Sequence, residues 1–495
     1  KSEKNIQRQD YDAFDNTGQP IYRTKQVAFV YLDFPDGRVP GILKIPENNI
    51  ELSIVPNLDA VGEIGLTSTP SPFPSTNPNL YANVFKYKWS DRWNMLFSTG
   101  FYQGSAHPDY LSHSGYTALS KEAYGSFKEY FTEISNSKFT VIPAITHSNE
   151  TDIMYRTGIV NNIKTLANGD KVIESIMLPL QKYHPTDPNI GYFPDHTRLN
   201  YTEDPNTQRQ RMELMMSHAY AKLVQLHNNQ VIEFDVVSFE NSGGIIVYVT
   251  AGSHQKFKGI GGGTETIVRG MFDQISSEYA VIDGITCLSH EFAHLALGWA
   301  HTVAGRNCLM NPNQTKDINC PSHPNPILKL REGWVTPVHL SSNINNIELQ
   351  PIETSKQVGI ITIYGNPSAA PDHLSGECYV VENRKRLSFD KKLLSDDPVS
   401  STYKGGLLVW HYGPYGEFDM PPDAGLEANA YKLVTPNNIN PLSIILSQGN
   451  EDYFFAYKNI PSPPEFYNLL QNRTYSQENL KTGIQIQNIH QADYS

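Results

Sequence analysis

The sequence predicts a mixed α/β fold followed by a β-rich C-terminal part, and two patterns indicate this. Between residues 26 and 340, short apolar runs typical of strands alternate with longer segments of helical periodicity. Beyond residue 340, short apolar runs separated by turn residues predict strands. Because 495 residues exceed one ordinary core, we divide the chain into an extended lead-in (1–25), an α/β domain (26–340) and a β-rich domain (341–495).

The α/β domain opens with strand, loop, helix and strand patterns in turn. The apolar run from Val27 to Phe34 predicts a buried strand, closed by the turn residues 35–37. Residues 66–80 are dense in Ser, Thr, Pro and Asn, a composition that predicts a surface loop. Helical periodicity covers residues 120–135, and residues 138–143 predict a short strand.

The central segments continue this alternation. Residues 184–208 carry repeated Pro, Asp and Asn and predict a long loop. The acidic residues of this loop that could bind calcium are Asp187, Asp195 and Asp204. Solvated carboxylates are the alternative interpretation of the same residues. A helix over residues 208–227, a strand over 244–250 and a flexible glycine-rich segment over 259–263 follow.

The charge and hydropathy of the chain argue against two classes of partner. The sequence contains 39 Lys and Arg against 51 Asp and Glu, a net charge of −12. This acidic balance disfavours a nucleic acid or an anionic membrane as the binding partner. A helix that crosses a membrane needs about 20 consecutive apolar residues, and the apolar runs of this sequence are far shorter. We therefore expect neither nucleic-acid binding nor membrane insertion.

Three features bear on the compartment of the protein. The sequence opens at Lys1 without Met or an apolar signal segment, which favours a processed or artificially shortened chain. We predict a disulfide between Cys308 and Cys320, because it would rigidify the polar loop between them, and four buried thiols are the alternative. Glycosylation sequons occur at Asn149, Asn200, Asn313 and Asn472, a number that chance also supplies in an Asn-rich chain. A processed chain, a disulfide and glycosylation each fit export, and the sequons carry little weight.

The strongest motif in the chain is His290-Glu-Phe-Ala-His294, which has the pattern H-E-x-x-H. At about 100° per residue, four apolar side chains fall on one side of a helix, namely Ile285, Leu288, Phe292 and Leu295. The two histidines fall on the opposite side, so the apolar stripe would seat the helix and the imidazoles would face a cleft. We predict that Asp283 caps this helix and that Gly298 ends it in the left-handed conformation.

This spacing suits a metal site. Two imidazoles four residues apart on a helix can bind one Zn²⁺ at about 2.0 to 2.1 Å and leave Glu291 beside the metal but outside its coordination shell. In metal-assisted hydrolysis, zinc lowers the pKa of a bound water and a carboxylate in this position acts as the general base. We therefore expect His290 and His294 to be zinc ligands and Glu291 to be the catalytic residue. The alternative is an amphipathic helix with two surface histidines and a solvated Glu.

A catalytic zinc takes a third protein ligand, and we predict His301 for this role. In the metzincin pattern H-E-x-x-H-x-x-G-x-x-H the third ligand follows a glycine, as His301 follows Gly298, although both lie one residue later here. A structural role for His301 is the alternative, and the other candidate ligands are Glu332, Asp317 and His323. Downstream, Met310 resembles the methionine of the turn beneath the metal in metzincins, and a gap-filling Met is the alternative.

Segments on both sides of this helix resemble the immune inhibitor A family of secreted metalloproteases, and the resemblance covers most of the chain. The segments that carry it are Val27-Ala-Phe-Val-Tyr-Leu-Asp-Phe-Pro-Asp, Trp93-Asn-Met-Leu-Phe, Ser126-Phe-Lys-Glu-Tyr-Phe-Thr-Glu-Ile-Ser-Asn-Ser-Lys-Phe, Lys329-Leu-Arg-Glu-Gly-Trp-Val-Thr-Pro, Val380-Val-Glu-Asn-Arg and Gly405-Gly-Leu-Leu-Val-Trp-His. They occur in the family's order, and the last two are the most specific. The resemblance implies a zincin-type metalloprotease catalytic domain at 26–340, β-rich C-terminal modules and synthesis with a propeptide.

The resemblance also implies a function. It predicts a secreted zinc-dependent endopeptidase that acts on proteins or peptides, with Zn²⁺ as cofactor and Ca²⁺ as a further ion common in such enzymes. One alternative is a catalytically silent relative kept as a surface or adhesion module, although such relatives commonly lose the base or a ligand. The other is a zinc hydrolase of non-peptide bonds, since the helix alone suits several carbonyl substrates.

Overall fold

The computed structural model describes both predicted parts of the chain. The described residues are 14, 17–33, 42–45, 96–99, 124–144, 158–165, 171–174, 176–183, 191–193, 205–250, 261–263, 269–274, 285–299, 308–310, 320–340, 348–364, 373–374, 377–392, 405–412, 431–433, 455–456, 465–467 and 481–485. The predicted turn at 35–37, the predicted loop at 66–80 and the three calcium candidates, Asp187, Asp195 and Asp204, lie outside these residues.

Helices and strands both occur up to residue 340, but they do not alternate regularly as predicted, because seven consecutive described strands lie between the helix at Phe127–Ile134 and the helix at Pro205–Asn228. The helices are α1 (Phe127–Ile134), α2 (Pro205–Asn228), α3 (Val236–Asn241), α4 (Ile285–Leu297) and α5 (Pro326–Arg331), with a 3-10 helix at Ser388–Lys392. The strands of this part are β1 (Arg23–Asp33), β2 (Ile42–Ile45), β3 (Phe139–Pro143), β4 (Gly158–Ile159), β5 (Asn162–Thr165), β6 (Lys171–Glu174), β7 (Ile176–Met177), β8 (Gln181–Tyr183), β9 (Gly191–Phe193), β10 (Ile245–Thr250), β11 (Gly261–Gly263), β12 (Arg269–Gln274) and β13 (Thr336–His339). The later strands are β14 (Gln357–Tyr364), β15 (Glu377–Lys385), β16 (Gly405–Tyr412), β17 (Tyr431–Leu433), β18 (Phe455–Ala456), β19 (Glu465–Tyr467) and β20 (Lys481–Gln485). Within the described part of the chain, no helix has both the length and the apolar character that a membrane span requires.

Strand β1 lies in the middle of the first sheet. Among the described residues this sheet has seven strands in the order β11-β12-β10-β1-β3, and β4 and β7 pair further along β1. All neighbouring strands are parallel except β11 and β12. The predicted buried strand is confirmed, because every side chain from Val27 to Leu32 is at most 4% exposed. A continuous apolar run of this kind is typical of a parallel strand that is covered on both faces.

Alternate residues of β1 join two different hydrophobic clusters. The odd-numbered residues from Val27 to Tyr31 belong to the larger cluster, which helices α1 and α4 help to form. The even-numbered residues from Ala28 to Leu32 belong to the smaller cluster, which helices α2 and α3 help to form. Because successive side chains of a strand point to opposite faces, the two pairs of helices cover opposite faces of the sheet. The H-E-x-x-H helix α4 therefore shares its face with α1.

Helix α1 supports α4 through aromatic contacts. It begins at Phe127 because Ser126 and Glu129 form a capping box, in which Glu129 N donates to Ser126 Oγ at 3.1 Å and Ser126 N donates to Glu129 Oε2 at 2.8 Å. The ring of Phe292 on α4 meets Phe127 at 5.1 Å and Phe131 at 4.9 Å between centroids, both edge to face. Such pairs contribute about 0.5 to 1.5 kcal/mol each beyond the burial of their area.

The glycine-rich segment differs from its prediction. We predicted a flexible segment over residues 259–263, whereas Gly261–Gly263 is strand β11, antiparallel to β12 at the edge of the first sheet. Strand pairing uses main-chain groups alone, so residues without side chains can take part in it, although with low intrinsic propensity. The same holds for part of the loop predicted over 184–208, because Gly191–Phe193 forms β9 and pairs with β8.

The second sheet confirms the strand-rich pattern beyond residue 340, and it shares a core with the first part. Its six strands among the described residues run in the order β13-β14-β15-β16-β17, and β18 pairs with β16. Strand β13 lies before the predicted boundary at residue 340 and β14 lies after that boundary, and the two strands pair in parallel. Val358, Val380 and Trp410 of the second sheet belong to the same hydrophobic cluster as Val27 and Phe292. The two parts are therefore joined by a continuous core.

A group of buried charged side chains lies where the second sheet meets helix α5. This buried charge cluster consists of the buried His323, Lys329, Glu382, Arg384 and Asp390 together with the half-buried Glu133. At its centre, Arg384 Nη1 donates to Asp390 Oδ2 at 2.7 Å and Arg384 Nε lies 3.2 Å from Glu382 Oε2. Arg384 Nη2 donates to the main-chain carbonyls of His323 and Pro324, each at 3.1 Å. Arg384 thereby ties the segment before α5 to the second sheet.

Three members of the buried charge cluster form a chain of hydrogen bonds through His323. Lys329 Nζ lies 2.7 Å from His323 Nδ1, and His323 Nε2 lies 2.9 Å from Glu133 Oε1. Burial, together with the nearby cations of Lys329 and Arg384, holds the pKa of His323 well below its usual range. The imidazole is therefore neutral, so Nδ1 accepts from Lys329 and Nε2 donates to Glu133. Burial also raises the pKa of Glu133 to about 8.

We predict that replacing Glu133 with Gln changes how stability depends on pH. Because the pKa of Glu133 rises from 4.5 to about 8 on folding, its protonation stabilises the fold fully below about pH 4.5, and this contribution is lost as the pH rises through 8. Gln keeps an oxygen that accepts from His323 but has no proton to lose. The free energy of unfolding of Glu133→Gln relative to wild type should therefore increase from pH 5 to pH 8, as measured by urea unfolding. Parallel pH profiles of the two proteins would contradict this assignment.

Candidate metal centre

Helix α4 carries the H-E-x-x-H motif and ends where the sequence predicted. It spans Ile285–Leu297, and Gly298 follows with φ of +61°, the left-handed conformation that glycine adopts without strain. Gly298 N donates to His294 O at 3.1 Å, and Trp299 N donates to Ala293 O at 3.3 Å. These bonds satisfy carbonyls of the last turn, as a left-handed helix end does. The predicted cap, Asp283, lies outside the described residues.

The open side of α4 is narrower than its predicted polar face. Of its described side chains, Glu291, His294 and Leu295 are half-buried, whereas the rest are buried. These three and the exposed Gly298 recur at the spacing of one helix face. Leu295, predicted to lie in the apolar stripe, is therefore at the edge of the open side. His290 is only 9% exposed and lies deeper than His294.

Each histidine of the motif is oriented by a main-chain carbonyl. His290 Nδ1 lies 2.8 Å from Leu309 O, and His294 Nδ1 lies 2.5 Å from Trp299 O. A carbonyl oxygen only accepts hydrogen bonds, so each Nδ1 must carry the proton. In the neutral imidazoles, Nε2 is then the atom with the lone pair, which is the atom that can bind a metal. The turn at 308–310 and the end of α4 thus set the orientation and tautomer of the two rings.

The two Nε2 atoms face each other at a separation that fits a shared zinc ion. They lie 3.1 Å apart, with the rings at an interplanar angle of 83°. Two nitrogens bound tetrahedrally to one zinc at about 2.0 to 2.1 Å lie about 3.3 Å apart. Two lone pairs that face each other at such a distance repel unless a proton or a metal ion lies between them. A proton or a metal ion shared by the two nitrogens would remove this repulsion.

The candidates for the third ligand divide into two groups. His301, the predicted ligand, and Asp317 lie outside the described residues. Glu332 and His323 are described and have other partners, since Glu332 binds Trp299 and Arg23, and His323 belongs to the buried charge cluster. Within the described part of the chain, no group of three or more His, Cys, Asp or Glu side chains is arranged to hold a metal. His301 accordingly stays the predicted third ligand.

The turn beneath His290 is held by cysteine thiols instead of a disulfide, so the predicted pairing is wrong for this structure. Cys308 and Cys320 are buried and not joined. Cys308 Sγ accepts from Asn325 N at 3.3 Å, and Cys320 Sγ donates to Phe389 O at 3.0 Å. These contacts bind each sulfur to a different segment. Met310 in the same turn is fully buried in the larger hydrophobic cluster.

Sequence reasoning missed the groups that orient the motif. The carbonyls of Leu309 and Trp299 carry no side-chain signal, because any residue presents the same main-chain oxygen. The buried charge cluster did leave a signal, since Glu382 and Arg384 interrupt an apolar strand run in Val380-Val-Glu-Asn-Arg. Charged residues are almost never fully buried unless they are paired, and this pattern could have pointed to a buried ion pair.

Comparison with known proteins adds no relative, since neither a protein-family model nor a curated protein matches this chain. The geometry of the motif and the residues around it are therefore what supports a function.

We predict that the purified protein binds about one zinc ion per chain and that His294→Gln lowers its zinc affinity about 100-fold or more, because zinc then loses a direct ligand. A competition titration with a chromophoric chelator measures this. His339→Gln is the matched control, because His339 Nε2 also faces a histidine nitrogen, His373 Nδ1, at 3.1 Å, but on the exposed surface. Equal losses of affinity in the two variants would contradict the assignment of the site.

Proposed function

We propose that this chain is a zinc-dependent endopeptidase that hydrolyses peptide bonds, with His290, His294 and His301 as metal ligands and Glu291 as the general base. The observation that carries the proposal is the pair of Nε2 atoms 3.1 Å apart, each on a ring whose Nδ1 meets a main-chain carbonyl. Orientation of a metal-binding histidine through its second nitrogen is a regular feature of zinc sites. The resemblance to the immune inhibitor A family supports peptides as substrates.

The proposed mechanism assigns a separate task to each residue. When bound, zinc supplies Lewis-acid activation of a water molecule and of the scissile carbonyl. Glu291 lies between the two histidines in sequence, on the open side of α4 with His294, and is half-buried. It accepts the proton that the attacking water loses and returns it to the leaving amine nitrogen as the C–N bond breaks. His290 and His294 keep their Nδ1 protons throughout, because the carbonyls hold them.

The wider assignment follows the family resemblance. We propose a zincin-type catalytic domain for the α/β part, with the first sheet and helix α4 as its centre, and secretion as the location of the protein. The mixed sheet, whose edge strand β11 runs antiparallel beside the parallel strands, is compatible with such a domain. Ca²⁺ stays a further candidate ion on the resemblance alone.

We predict that Glu291→Gln slows peptide hydrolysis by about 10² to 10⁴-fold while it preserves zinc binding. Loss of a general base lowers rates by about 10² to 10⁴, and the amide leaves both histidines unchanged. Casein hydrolysis and zinc content are measured on the same preparation, with a chelator-treated sample as the blank. Glu240→Gln on helix α3 is the matched control and should keep full activity.

The outcomes separate the candidate functions. Full activity of Glu291→Gln, or loss of its zinc, would contradict the role of Glu291. A wild-type protein that binds zinc but hydrolyses neither casein nor peptides would favour the silent surface module. Hydrolysis of small esters without hydrolysis of casein would favour a zinc hydrolase of another substrate class.

A further inference from the structure

Glu332 is a buried carboxylate at the end of helix α5 that contacts two distant parts of the chain. It is 0% exposed, Trp299 Nε1 donates to its Oε1 at 3.1 Å, and Arg23 Nη2 donates to its Oε2 at 2.7 Å. Each oxygen therefore has its own donor. Hydrogen bonds with a charged partner are roughly twice as strong as neutral ones, so the carboxylate is a firm anchor for the indole of Trp299.

Both ends of this anchor are fixed by secondary structure. Arg23 begins strand β1, and its main-chain N donates to Lys138 O at 2.8 Å. Glu332 is the C-terminal cap of α5, and its main-chain N donates to Leu328 O at 3.2 Å. The carboxylate is thus held by the central strand of the first sheet on one side and by α5 on the other.

The anchored residue, Trp299, touches the proposed metal ligand. Its main-chain oxygen accepts from His294 Nδ1 at 2.5 Å, and its ring meets Trp334 at 5.4 Å between centroids. Gly298 precedes it with φ of +61° and no atom within 4 Å of the position that a Cβ would occupy. Glycine has more conformational freedom than any other residue. The hydrogen bond from Trp299 N to Ala293 O holds this residue through its main chain, and the bond from its indole to Glu332 is a second support for the position of its carbonyl.

We propose that Glu332 is a positioning residue for His294: it anchors the Trp299 indole, which holds the Trp299 carbonyl against His294 Nδ1 and points Nε2 at the metal. This inference rests on the proposed role of His294 as a zinc ligand. It assigns Glu332, a candidate ligand by sequence, to the orientation of another ligand. Partners of this kind change metal affinity by about 10 to 100-fold when they are removed.

The experiment compares two substitutions of tryptophan in the same aromatic pair. Trp299→Phe removes the donor to Glu332 and keeps a ring. Trp334→Phe makes the same chemical change in the neighbouring ring, whose Nε1 has no hydrogen-bond partner among the described residues. A third variant, Glu332→Gln, keeps the shape of the side chain but presents an amide nitrogen to one of the two donors. All three are made in the full chain, and thermal unfolding of the metal-free protein reports their stability.

Zinc affinity is the first measurement. By competition with a chromophoric chelator, Trp299→Phe and Glu332→Gln should bind zinc about 10 to 100-fold more weakly than wild type. Trp334→Phe should stay within about threefold, even where its midpoint of thermal unfolding falls as far as that of Trp299→Phe. A purely structural role would make zinc affinity follow stability, so equal affinities of Trp299→Phe and Trp334→Phe would overturn the proposal.

The tautomer of His294 in the metal-free protein is the second measurement, and it needs no metal. Histidine labelled with ¹⁵N, assigned through His294→Gln, should show a proton on Nδ1 of His294 in wild type and Trp334→Phe. In Trp299→Phe this preference should disappear. An unchanged Nδ1 proton in Trp299→Phe would overturn the proposal. If wild type binds no zinc but the tautomer shifts as expected, the proposed function fails while the positioning role stands.

Discussion

The buried guanidinium of Arg384 is the constraint on which the region around the motif depends. Moving such a charge out of water is unfavourable by an amount on the order of several kcal/mol unless paired groups surround it. Asp390 and Glu382 supply two carboxylates, and the carbonyls of His323 and Pro324 both accept from Nη2. This requirement brings the second sheet and the segment before α5 into a single arrangement.

A few contacts connect that arrangement to the candidate metal centre. The next residue of the segment, Asn325, donates its main-chain N–H to Cys308 Sγ, and the turn at 308–310 presents Leu309 O to His290. On the other side, Glu332 at the end of α5 holds Trp299, which presents its carbonyl to His294. The carbonyls that orient the two imidazoles therefore belong to segments that are both held by the region around α5, one through Asn325 and the other through Glu332. The β-rich part therefore helps to hold the candidate site in place. It also shares a hydrophobic core with the α/β part.

Several features of the fold could be predicted because they depend on local chemistry. The buried strand at Val27, the helix over 208–227 and the left-handed glycine at the end of α4 follow from apolar periodicity and from the steric freedom of glycine. The edge strand at Gly261–Gly263 could not be predicted in this way, since its only side-chain signal is flexibility and its pairing with β12 depends on a neighbour. The disulfide prediction was wrong for a related reason. Nearness in sequence suggested that Cys308 and Cys320 meet, whereas each sulfur is bound by a residue from elsewhere in the chain.

The sequence by itself determined the motif of the candidate site: two histidines four residues apart, with a glutamate between them, on one helix that ends at Gly298. Helical geometry makes this local, because residues four apart share a face in any α-helix. Only the tertiary structure decided which ring nitrogen of each histidine faces the other, because the partners of the opposite nitrogens are main-chain carbonyls brought there by folding. It also decided the role of Glu332, since a carboxylate near a metal motif reads as a ligand until its two oxygens are seen to bind Trp299 and Arg23. The residue type does not show which main-chain oxygen a histidine will contact, and the partner of a side chain depends on the tertiary structure.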